Sequence, residues 1–267
     1  MSRAKRGFTL VEILVVCVVL AALLAAGGAV TCVARNKARM AIEVNASRNL
    51  ITGYLGHAFE NNGAVLAGYE TDPEATNLHG ELLHFPMNAR YPWRLAPHLP
   101  KVEGVLLVNG NEAALKTSES DYRVSAQPNL GLNATLVGGH FGTSSPLRPS
   151  GKMQAAYGKF LLTHTHEAPG AEGLLVFASA RSGPGQVGYY EVRPPNLTRP
   201  VWDTDAYTED ATASDYGFVD FRWDGKAVCA MLGGNVELLD EARMRDMRRW
   251  SIQAQAEDDP EFVIRRR

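Results

Sequence analysis

The stretch that decides the reading is Gly7-Phe8-Thr9-Leu10-Val11-Glu12-Ile13-Leu14-Val15-Val16-Cys17-Val18-Val19-Leu20, continued through Ala21 to Val33. No charge falls between Ile13 and Val33. As a helix rising ~1.5 Å per residue, that run is roughly 30 Å long, the thickness of a bilayer core. Arg3, Lys5 and Arg6 precede it, and Arg35, Lys37 and Arg39 follow it, so flanking charge alone does not orient it. A basic leader followed by an apolar run suits a cleaved secretory signal, a plain membrane anchor or a processed anchor. Glu12 separates them. A carboxylate in a membrane helix costs on the order of 3 kcal/mol near the centre, and a removable signal gains nothing from carrying it. An acidic residue retained there needs a partner.

Working outward, the three cysteines, Cys17, Cys32 and Cys229, form no CxxC pair and show no metal-ligand spacing. Two of them lie in the apolar run, where a thiol acts as a small hydrophobe. Val30-Thr31 lacks the small residue that lipoprotein cleavage before Cys32 would want. The 267 residues have a formal net charge of −2, with 45% hydrophobic and 21% charged residues. That balance excludes wholesale disorder and gives no broad basic field for nucleic acid.

Gly7-Phe8-Thr9-Leu10-Val11-Glu12 behind its basic leader resembles the signature of type IV prepilins and type II secretion pseudopilins. The resemblance implies that a prepilin peptidase cuts after Gly7 and methylates the Phe8 amine. It implies that Glu12 then docks against the Phe8 amine of a neighbouring subunit, two charges tolerated in lipid as a pair. It places the leader in the cytoplasm and the residues after about Ala34 outside, as a single-pass protein of the inner membrane. Its partners would be other pilin-like subunits and a pilus or secretion assembly platform, in a periplasmic or surface filament. The expected fold is α+β, a long N-terminal helix on an antiparallel sheet. The expected parts are a leader over 1–7, a transmembrane helix over 8–33, its amphipathic continuation over 34–62, a globular domain over 63–257 and a flexible tail over 258–267.

The soluble half of the helix is expected to turn Met40, Val44, Leu50, Tyr54 and Phe59 inward and Arg39, Glu43, Arg48 and Asn49 outward, and to stop at Asn61-Asn62-Gly63. Gly104–Val108 reads as a short element and Asn111–Ser118 as a small helix. Strands are expected at 159–163, 173–178, 187–192, 218–223, 227–232 and 235–238. Asp224-Gly225 reads as a type I′ turn, and Gly233-Gly234 as the next turn of a three-stranded meander. Asp240 is the expected cap of a closing helix with Met244, Met247 and Trp250 or Ser251 on one face.

That meander is similar in spacing to a hairpin of one prepilin-like group: His, nine residues, then Asp-Gly-His-Val. Tyr91-Pro92-Trp93-Arg94, Leu130-Gly131-Leu132-Asn133, Val137-Gly138-Gly139 and Val176-Phe177-Ala178-Ser179 resemble the same group. Here Trp223 stands in place of the first His, Gly233 in place of an Asp, and Asn235 in place of the second His.

Other chemistry is sparse. His164-x-His166 would share a strand face, with Glu167 on the other, as a possible metal pair. Asp203, Asp205 and Glu209 are candidate calcium ligands without the glycine that an EF-hand turn needs. Arg243, Arg245, Arg248 and Arg249 alternate with Glu241 and Asp246, the pattern of a salt-bridged exposed face. No GxSxG or Ser/His/Asp order appears, and no catalytic residue or organic cofactor is expected. The sequence therefore points to a filament subunit. The alternative is a membrane-tethered extracytoplasmic binding protein that uses the same anchor for delivery only.

Overall fold

The computed structural model describes residues 9–117 and 119–267, without the side chains of residues 21–32. It has two compact units, divided between Ala41 and Ile42. Helix α1, Leu10–Glu60, belongs to both. Its C-terminal stop is local chemistry: Asn62 and Gly63 take φ of 55° and 85°, and the Gly63 N–H bonds the Ala58 carbonyl at 2.7 Å.

In the second unit, Ala46, Leu50, Ile51, Tyr54 and Ala58 of α1 are buried. This face differs from the expected one. Glu43 is fully buried, whereas Val44 is only partly buried and Phe59 is 87% exposed. The inward stripe is therefore set by residues 43, 46–47, 50–51, 54 and 58, which a helical period brings together.

Short helices α2 (Tyr91–Leu95) and α3 (Ser120–Ala126) and strand β1 (Leu130–Leu132) follow. Next come α4 (Gly151–Tyr157), β2 (Leu175–Ser179), a small hairpin of β3 (Arg181–Gly183) and β4 (Gln186–Val187), β5 (Lys226–Met231) and β6 (Val236–Asp240). The main sheet has four strands in the order β1-β2-β5-β6, every pair antiparallel. This is the expected α+β fold.

The sheet separates two apolar layers. Along β5, Ala227, Cys229 and Met231 point into one and Ala230 into the other, the alternation of a strand buried on both faces. A register shift between Leu175 and Phe177 sends both Val176 and Phe177 to the helix side, where Phe177 meets Tyr54 edge to face at 5.5 Å. The far layer holds Met244, Met247 and Trp250.

Several expected strands are absent. Residues 218–223 begin with Phe218 at φ 63°, a conformation no strand continues through. Residues 187–192 break at Gly188, φ 99°, where a side chain would run into the Gln127 carbonyl. Residues 159–163 bend at Lys159 and Leu161, and the Leu162 N–H bonds the loop carbonyl of Leu136 rather than a strand. The meander is thus a two-stranded hairpin whose other edge is covered by β2. Both its turns form as expected. Asp224 and Gly225 have φ of 52° and 74°, and Trp223 and Lys226 exchange both backbone bonds at 3.0 Å. Gly104–Val108 is a buried turn rather than a strand, and residues 111–116 form a 3₁₀ helix.

Asp240 caps as expected, accepting from the Arg243 N–H, but the closing helix is broken into α5 (Glu241–Met244), a 3₁₀ turn and α6 (Ile252–Glu257). Ser251, expected as a face residue, caps α6 instead. The expected flexible tail is docked: Phe262 and Ile264 are buried, and the Ile264 N–H bonds the Leu197 carbonyl at 2.8 Å.

Candidate functional site

Gly7 and Phe8 lie outside the described residues, so the site is built from Thr9 onward. Thr9 precedes the first turn of α1, and Glu12 sits three residues on. The Thr9 N–H and hydroxyl both donate to Glu12 Oε2 at 2.8 Å, and the Glu12 N–H returns to Thr9 Oγ1 at 3.3 Å. This is a reciprocal capping box, in which two orphan donors of the helix end are satisfied and the acid sits at the positive end of the helix dipole. The signal for it, Thr-x-x-Glu, is in the sequence.

Around this cap the helix shows only apolar surface. Leu10 is 82% exposed, and Val11, Ile13, Leu14, Val15, Val16, Val18, Val19 and Leu20 are each more than half exposed. A continuous apolar surface of this kind calls for lipid or other helices around it. Among the described residues no helix is long and apolar enough to cross a membrane; side chains 21–32 of the expected span are not among them.

The second unit holds a carboxylate of the opposite kind. Glu43 is fully buried and accepts from four groups. Arg222 reaches it through Nη2 at 2.9 Å and Nε at 3.2 Å, Trp223 Nε1 at 3.0 Å and the Ser179 hydroxyl at 2.5 Å. Arg222 also donates to Asp220 at 2.6 Å and to the carbonyls of Ala180 and Asn129 at 2.9 and 3.0 Å. Burial alone would pull the guanidinium's pKa down, but the Glu43 and Asp220 carboxylates outweigh it and hold the pKa above its ordinary value. The turn at Asp224-Gly225 positions Trp223 and Arg222 for this contact. Trp223 is thus half-buried and commits its single N–H to Glu43.

Gly233 has a steric reason. A Cβ there would lie 2.9 Å from the Glu172 Cα, so the backbones approach too closely for a side chain. Asn235 bonds the Glu172 carbonyl at 3.2 Å and Glu237 at 3.0 Å.

The remaining sequence candidates do not assemble. Among the described residues no group of three or more His, Cys, Asp or Glu side chains could hold a metal ion. Asp203, Asp205 and Glu209 are exposed, and their carbonyls are taken by guanidinium groups, Asp203 and Asp205 by Arg245 and Glu209 by Arg181. His164 and His166 have ring centroids 5.5 Å apart on a 3₁₀ turn rather than a strand. Glu167, expected on the opposite face, folds back onto Thr163, Lys159 and His164. The arginine run is salt-bridged: Arg245 to Glu241, Arg248 to Asp246 and Asp258, Arg249 to Glu237.

Residues 2–28 match the family model of the prokaryotic N-terminal methylation motif, the signature of prepilins and pseudopilins. The match does not extend to the C-terminal hairpin. No curated protein and no solved structure matches the chain.

Proposed function

We propose that this chain, which carries the methylation motif of pilin-like precursors, is a structural subunit of a type IV pilus or type II secretion-like filament. A prepilin peptidase cuts it after Gly7 and methylates Phe8, and residues 8–33 anchor it in the inner membrane. The observation that carries the reading is the motif match over residues 2–28, with Glu12 in the first turn of α1 beside an exposed apolar stretch. The cap supports it. Cleavage after Gly7 leaves the Thr9 N–H and hydroxyl in place, so the mature chain keeps Glu12 at its helix end. There it is ready for the amine of a neighbouring Phe8.

The role is structural rather than catalytic. Ser179, the hydroxyl closest to a buried carboxylate, donates to Glu43 and accepts from the Val228 N–H at 2.9 Å, so it is committed to the fold. The test is intact-mass and N-terminal analysis of membrane-extracted protein, which should find a chain starting at methylated Phe8. A chain starting at Met1 or near Ala34 overturns the reading. Gly7→Ala should be cleaved almost as well, since Ala is small, and a bulky or charged residue there should block cleavage.

A further inference from the structure

The last turn of α1 carries His57, and the Ala96–His98 turn packs directly against it. Gly53 permits this approach. A Cβ at Gly53 would lie 2.6 Å from Leu99 Cδ2 and 2.8 Å from the His98 carbonyl oxygen. The result is two imidazoles facing one another, with His57 Nδ1 3.2 Å from His98 Nε2 and the rings 82° apart. On its other side, His98 Nδ1 lies 3.4 Å from the Glu60 carboxylate. Asn61 Nδ2 lies 3.4 Å from His57 Nδ1 and donates to the His57 carbonyl at 2.8 Å.

We infer that His57 and His98 form a binding site for a divalent transition-metal ion, with Glu60 holding His98 in the ligating tautomer. This goes beyond the filament role and does not depend on it. Two nitrogens 3.2 Å apart, each about 2.0–2.1 Å from a zinc ion, subtend an angle on the order of 100° at the metal, close to tetrahedral. A carboxylate on the remote ring nitrogen is the usual support of a metal-bound histidine, fixing which nitrogen carries the proton. A cation is also favoured at the carbonyl end of a long helix. Two imidazoles select zinc, copper or nickel over calcium or magnesium. The remaining positions belong to water, so the site is exchangeable rather than a closed structural cage. His164 and His166 lack this arrangement, since their rings do not face one another through nitrogen atoms at bonding distance.

The test is a calorimetric titration of untagged full-length protein in detergent with zinc chloride. One saturable site is expected, weakened at least roughly tenfold by His57→Gln or His98→Gln and by a comparable or smaller factor by Glu60→Gln. The double substitution His164→Gln/His166→Gln should leave it unchanged. Zinc should also raise the unfolding temperature of the wild type and not of the two ligand variants. Copper-loaded protein gives a readout independent of stability: its EPR spectrum should show coupling to two imidazole nitrogens, reduced to one in either variant. No saturable zinc binding by the wild type would overturn the inference, and so would binding that survives both ligand substitutions.

Discussion

Glu12 and Glu43 lie on the same helix and are held in opposite ways. Glu12 is exposed and, among the described residues, bonded to its own helix end through Thr9. Glu43 is fully buried, and its partners Ser179, Arg222 and Trp223 are 136 to 180 residues away in the chain. A carboxylate satisfied locally leaves its surroundings free for another molecule. One satisfied by distant segments is a pin that holds those segments in place. One helix thus serves two purposes: its N-terminal part presents surface, and its C-terminal part organises a domain.

The largest expected effect breaks the pair apart by function. In the proposed filament, Glu12→Val removes the only acid that can meet a neighbour's Phe8 amine, where low dielectric makes the attraction strong. Membrane insertion and leader cleavage should persist while assembly fails. Cross-linked ladders from cells expressing wild type and variant at matched levels report this, and equal ladders would move the tethered binding-protein reading ahead. Glu43→Ala should do the reverse. It removes the acceptor of Trp223 and one of the two carboxylates of Arg222, which keeps Asp220, and should cost about 3 kcal/mol of unfolding free energy. Denaturant unfolding of both variants in detergent separates the two cases, because Glu12→Val should leave the midpoint of the globular unit unmoved. A Glu43→Ala variant as stable as wild type would mean that the ion pair does not hold the hairpin to the helix.

The contrast also explains what was legible. Features satisfied within a few residues could be read directly: the helix stop at Asn62-Gly63, the Asp224-Gly225 turn and the Asp240 cap all formed. The Thr9-x-x-Glu12 box was equally local, but the demand for an intermolecular partner absorbed Glu12 entirely. Glu43 was not legible, because a lone acid on an amphipathic helix ordinarily faces water and its cation, Arg222, comes 179 residues later. The expected strands at 187–192 and 218–223 failed for a related reason. Their apolar alternation was real, but Gly188 takes φ 99° against the distant Gln127 carbonyl, and Phe218 takes φ 63° just past the 3₁₀ turn Ala213–Tyr216, its N–H bonded to the Ala213 carbonyl. The docked tail shows the same limit, since Phe262 and Ile264 find their cavity only once the far layer exists.

A smaller effect tests the turn that feeds the buried carboxylate. At Gly225, φ is 74° and nothing lies within 4 Å of an added Cβ, so Gly225→Val meets backbone strain without a clash. The cost should be roughly 1–2 kcal/mol, read as a lower unfolding midpoint with filament assembly retained. A loss as large as that of Glu43→Ala would mean that the turn, rather than the ion pair, anchors Trp223 and Arg222.

The smallest effect concerns pH and belongs to the buried half alone. His140 is fully buried, stacked on Tyr69 at 4.5 Å, and has no hydrogen-bond partner at either ring nitrogen. Burial pushes its pKa below the ordinary value, and Arg193 adds to that. Glu191, 3.7 Å away, opposes it without reversing the direction. The sign follows from proton uptake. Below about pH 6.5 the unfolded chain binds a proton at this histidine that the folded chain refuses. Stability should therefore be complete above that pH and fall as pH drops toward the folded-state pKa. His57, also depressed, adds a slope of the same sign. Glu167, held down to about 2, contributes only at much lower pH, as its carboxylate is protonated between its ordinary value and about 2. Urea unfolding at a series of pH values from 7.5 to 5, with His140→Gln beside wild type, isolates the term. The variant should lose part of the slope below about pH 6.5. An unchanged slope would place the acid sensitivity elsewhere, with His57→Gln the next variant to measure.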